Sequence, residues 1–195
     1  MHSSLVFFVN LLFLVCHSCI SSDVSQRKLE LEREINETNE ESQQLSIPSH
    51  ILHNQIMNIT EQLKEQFPEE TEQINQFATC CFHSHPNYNQ TEVISEFTTY
   101  FDLSEIKYGV NIPSNSLVRN YLNENYHKGL FPSNNKTKLC IEDLSVEFRR
   151  ENENQLNNLE TAMMQYNEIF LHSFKLSFKY FVLSEVEKQL KNETE

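Results

Sequence analysis

LNNLETAMMQYNEIFLHSFKLSFKYFV, residues 156–182, decides the fold. Its large apolar residues recur at steps of three and four: Leu156, Leu159, Met163, Tyr166, Phe170, Phe174, Phe178 and Phe181. Such spacing returns to one face of a helix that has about 3.6 residues per turn. The stripe extends backwards through Asn152, Phe148 and Leu144 to Ile141, with Asn152 as its polar member. It predicts one long helical segment from Lys138 to about Lys191, which the polar run RRENENQLNN (149–158) could bend or break. FKLSFKYFV (174–182) also alternates apolar and polar, as a strand would. Helix is preferred there because the stripe runs through it, helix-forming residues follow, and no hairpin partner is evident.

The end of this segment is apolar around most of its circumference. A helix of that kind lies at the centre of a bundle, inside a dimer, or along an apolar cavity. Phe170, Phe174, Phe178 and Phe181 therefore form the candidate apolar binding surface, with central packing as the simpler use of the same side chains.

Outward from this segment, the rest of the chain also reads as helix. Gly occurs only at 109 and 129, too few for the left-handed turns of a sandwich or of a phosphate-cradling fold. Pro48, Pro68, Pro86, Pro113 and Pro132 read as punctuation between helices. Helices are expected over residues 49–66 with Ser49 as N-cap, and over 69–83, 91–107 and 115–128. The fold class is all-α: a secreted helical bundle of about four to five helices with a long C-terminal helix. The expected organisation is a signal peptide at 1–21, a polar lead-in at 22–47, a single helical domain at 48–191, and a tail at 192–195. The lead-in carries a thin stripe of Val24, Lys28, Leu31 and Ile35 and is expected to be a frayed helix or disordered.

Compartment follows from the start of the chain. LVFFVNLLFLV (5–15) is an apolar core, and CHSCISS (16–22) is small and polar, the layout of a secretory signal peptide. The apolar core falls short of the roughly 20 residues that span a membrane. Asn-x-Thr occurs at Asn36, Asn58, Asn89, Asn135 and Asn192, always ending in Thr although Ser is the commoner residue. That bias points to use as glycosylation sites in an extracellular glycoprotein. The net charge of −13 argues against nucleic acid and anionic membranes as partners, since both call for a basic surface.

Cys80, Cys81, His83 and His85 are the densest chemistry in the chain. Their inventory fits zinc, but adjacent cysteines diverge by about 100° on a helix and lack the two-to-four-residue spacing of zinc motifs. No metal or other cofactor is expected. In an oxidising compartment the simpler reading is a disulfide bond, Cys81–Cys140 or Cys80–Cys140, worth roughly 3–4 kcal/mol for a loop of about 60 residues. The remaining thiol is then buried, joins two chains as a disulfide-linked dimer, or pairs with Cys19 if cleavage leaves it on the chain. His50 and His53 share a helix side with no third ligand marked. Nucleotide-binding glycine loops, the nucleophile elbow and His-Glu-x-x-His are all absent from the sequence.

The function expected is non-catalytic binding to an extracellular protein partner. A carrier of a small apolar ligand in the bundle interior is the alternative. A thiol-dependent enzyme, using Cys80 or Cys81 with a histidine, is weaker because nothing supplies the activating surround.

Overall fold

The structure, a computed structural model, describes the backbone of residues 2–82, 90–112, 114–127 and 144–192. Side chains are described from Asp23 onward within those ranges, except at 80–82, 90, 114–116, 119 and 125–127. The described residues form six α-helices and one 3₁₀ turn, with no strand among them. The helices are α1 (His2–Gln66), α2 (Thr71–Phe82), α3 (Gln90–Tyr108), α4 (Ser114–His127), α5 (Val146–Glu151) and α6 (Glu153–Asn192), with the 3₁₀ turn at Pro68–Glu70. The stretch 174–182 is helical, and α6 is the long C-terminal helix that the stripe predicts. No described helix is long and apolar enough to cross a membrane.

α1 and α6 form the central pair. Glu34 meets Lys179 at 3.8 Å, Glu41 meets His172 at 2.9 Å, and the His53 and Tyr166 rings lie 6.1 Å apart. Rising numbers on α1 thus meet falling numbers on α6, so the pair is antiparallel. Two apolar cores share it. At one end Leu31 joins Phe97 and Phe101 of α3, Val118 of α4, and Phe178, Val182 and Val186 of α6. At the other, Ile56 and Leu63 join Ile74 and Phe77 of α2, Phe148 of α5, and Leu156 and Leu159 of α6.

Between the cores lies a less buried waist. α1 buries no residue from Asn39 to Gln55, and α6 buries only Asn167 between Met163 and Phe174. Pro48 falls inside this waist, and α1 runs through it. The expected break there, with Ser49 as a new N-cap, does not occur. Proline inside a helix removes one backbone hydrogen bond and costs about 3 kcal/mol. Packing against α6 on both sides of the waist holds the helix together across it. The 22–47 segment is likewise continuous helix, with Leu31 1% exposed and Ile35 packed on the first core.

The predicted break in the last segment does occur, and the stripe's polar member makes it. Ser145 caps α5 by accepting from the Phe148 amide at 3.2 Å. Asn152 leaves helical geometry at φ −117°, and its side-chain amide donates to the Phe148 carbonyl at 3.1 Å. The Leu156 amide then donates to the Asn152 carbonyl at 3.0 Å, and α6 begins. Asn152 stays in the apolar stripe because its amide is satisfied while buried.

α3 ends on a glycine that has two reasons to be one. Gly109 has φ +62°, and the Val110 amide reaches back to the Glu105 carbonyl at 3.2 Å, the long bond of a Schellman stop. A Cβ on Gly109 would lie 3.0 Å from an Arg27 guanidinium nitrogen. That guanidinium donates to the Tyr108 carbonyl at 2.6 Å and so ties α1 to the end of α3. Gly109→Ala is expected to cost about 1 kcal/mol for the left-handed backbone, and more as Arg27 is displaced. Denaturant unfolding with an unchanged m-value would check it; an unaltered midpoint would contradict this account.

Candidate functional site

The predicted apolar surface of α6 divides between core and half-buried positions. Phe174 and Phe178 are 6% and 1% exposed, so neither offers a free face to a ligand or partner. Phe178 stacks on Phe97 of α3 with centroids 3.8 Å apart and planes 2° from parallel. Phe97 also meets Phe174 at 5.5 Å, and Tyr121 of α4 meets Phe174, Phe178 and Phe181 at 5.0–5.9 Å. Phe181 is half-buried against this group, and Phe170 is half-buried outside it. The rings therefore dock α3 and α4 onto α6. Burial alone pushes the Tyr121 hydroxyl up to about 12.

The second constellation is polar, and its centre is Glu34. Helical phase puts Glu34 on the edge of the stripe that carries Leu31, Ile35 and Thr38, so its carboxylate enters the seam where α1 meets α3 and α6. Tyr100 donates to one oxygen at 3.1 Å; Tyr108 and Lys107 each donate to the other at 2.6 Å. Lys179 stands 3.8 Å away, and Lys107 also reaches Glu30 at 3.4 Å. The Glu34 side chain is 15% exposed.

Burial pushes the Glu34 carboxyl up, but hydrogen bonds from Lys107 and Tyr108, the Lys107 charge and the Tyr100 hydroxyl outweigh it, and the group ends below its ordinary value. For Lys107, partial burial is outweighed by Glu34 and Glu30, which raise it. Burial and the Glu34 charge together drive the Tyr100 and Tyr108 hydroxyls well above the ordinary tyrosine range. At neutral pH the carboxylate is charged while the ammonium and both hydroxyls keep their protons. The carboxylate on α1, the donors on α3 and Lys179 on α6 together make the arrangement a clamp on three helices. Apolar periodicity does not reveal it; the available signal is an acid three residues after Leu31 and four before Thr38.

The other predicted residues are placed as follows. Asn36 and Asn58 are exposed on α1, and Asn192 is exposed at the end of α6. Asn89 and Asn135 lie outside the described residues. Cys80 and Cys81 fall in the last turn of α2, but their side chains, with Cys140, His83 and His85, lie outside the described set, and so does the predicted disulfide. Among the described residues no group of three or more His, Cys, Asp or Glu could hold a metal ion. An open depression of about 500 Å³ on the outer side of α3 is lined by Glu92, Ser95, Glu96, Thr99, Tyr100 and Leu103. Six side chains from one helix do not enclose a ligand. Comparison with protein-family models, curated proteins and solved structures finds no match to the chain.

Proposed function

We propose that the chain is an exported, N-glycosylated helical protein that acts by non-catalytic binding to an extracellular protein partner. The observation that carries this reading is how the interior groups are used. The aromatic rings of α6 are packed on one another and on α3 and α4, and the Glu34 carboxylate is engaged by donors of its own chain. Among the described residues, what remains to meet another molecule is the helix surface. Asn36, Asn58 and Asn192 stand on that surface, as sugar acceptors must.

The test uses the tagged full chain made in a eukaryotic secretory cell line. Protein from the medium is expected to bind intact cells of the source tissue saturably, with the binding abolished by prior protease treatment of the cells. Native mass spectrometry of the same protein is expected to show polypeptide and glycans alone. A bound lipid at one per chain would support the carrier reading instead.

A further inference from the structure

Asn36 and Asn58 share a geometry that bears on when they can be modified. Residues two apart on an α-helix are separated by about 200°, so a sequon inside a helix splits across it. In α1 both do. Asn36 and Asn58 are exposed, while Thr38 and Thr60 are 1% and 5% exposed. The Thr38 hydroxyl donates to the Glu34 carbonyl at 2.7 Å, and the Thr60 hydroxyl donates to the Ile56 carbonyl at 2.8 Å. Thr38 lies between Glu34 and Glu41, which meet Lys179 and His172 of α6. Thr60 lies between Ile56 and Leu63 of the second core.

A glycosyl-transfer enzyme that selects Asn-x-Thr has to engage the amide and the hydroxyl together. In the folded chain they face opposite ways, and the hydroxyl is both buried and bonded. We infer that Asn36 and Asn58 accept sugar only from the chain before α1 has packed on α6, and that folding then fixes both glycans on the outer face of α1. Ile47 and Ile51, 69% and 60% exposed, lie on α1 between the two sugar positions. The donor is a lipid-diphosphate-linked oligosaccharide. The Asn amide nitrogen loses one proton to a base and forms a bond to the anomeric carbon. The bond from that carbon to the diphosphate oxygen breaks, and the lipid diphosphate leaves with the electron pair.

This inference rests on the exported-glycoprotein reading, and one experiment separates their failures. The full chain is translated in a cell-free system with endoplasmic-reticulum membranes. In parallel, the folded, sugar-free full chain from bacterial cytosol is given to the same solubilised transferase with the lipid-linked donor. Site occupancy is read by peptide mass spectrometry. Nascent chain is expected to be modified at Asn36 and Asn58. Folded chain is expected to react more slowly by on the order of a thousandfold or more, the scale set by the unfolded fraction of a stable domain. Equal modification of folded and nascent chain at either site would overturn the inference alone. Absence of modification in the nascent chain would overturn the inference together with the reading beneath it.

Discussion

Phe178→Ala is expected to destabilise the chain by about 3–5 kcal/mol, the range for removing a fully buried aromatic side chain. Phe178 is 1% exposed and stacks on Phe97, with Tyr121 and Phe181 against it at 5.3 Å and 6.3 Å. Truncation leaves a cavity where α3, α4 and α6 meet, and rings held by three helices cannot close over it without moving a helix. For a chain of this size the loss corresponds to a fall in melting temperature of roughly 10 °C. Phe170→Ala, one stripe position removed from that core and half-buried, is expected to cost much less. Thermal unfolding of both variants is the measurement. Equal effects at 170 and 178 would mean that the stripe faces something other than the α3–α4 pair.

Glu34→Gln gives the second large effect. The variant keeps the side chain's shape and removes its charge, so Lys107 is left with Glu30, Lys179 loses the Glu34 charge, and one tyrosine donor loses a strong acceptor. Hydrogen bonds to a charged group contribute about 1.5–3 kcal/mol each, and a net loss of about 2–3 kcal/mol is expected here. Glu37→Gln, exposed and, among the described residues, paired with Arg33 one turn away, should change stability by no more than about 0.5 kcal/mol.

The same cluster sets the pH response. Glu34 is depressed in the folded chain, so its contribution is present above the unfolded glutamate value near about 4.3. That contribution is lost as pH falls through the lower folded value. Tyr100 and Tyr108 are raised, so theirs is present below the unfolded tyrosine value near about 10 and is lost at higher pH. Stability of the parent chain should therefore fall at both ends, and Glu34→Gln should flatten the acid limb. An acid limb identical in parent and variant would remove Glu34 from the account.

What was legible in the sequence was the part that apolar periodicity encodes. The stripe from Leu144 through Phe178 supplies core residues of both clusters, because a buried helix face must repeat with the helix. Asn152 stood out in that stripe as its one polar member, and the chain breaks there. Pro48 misled in the opposite direction: local propensity argued for a boundary, and packing beyond the waist overrode it. The thin stripe of the 22–47 segment does dock, through Leu31 and Ile35, and Arg27, Glu34 and Glu41 add polar attachments that apolar spacing does not record. The α6 phenylalanines show a further limit. A helix that lines a cavity and a helix that fills one carry the same residues, and only the partners, Phe97 and Tyr121, distinguish them.

Those partners also bear on the proposed function, because rings packed on rings are the observation that turns the proposal toward the surface of the protein. Export and glycosylation are the premises that put that surface outside the cell. Intact mass of the protein recovered from the medium, taken before and after N-glycosidase and again after reduction, tests them most directly. The account predicts a chain that begins close to Asp23, carries sugar mass that the glycosidase removes, and gains thiols on reduction. A chain that starts at Met1, has the bare polypeptide mass and carries only free thiols would contradict it.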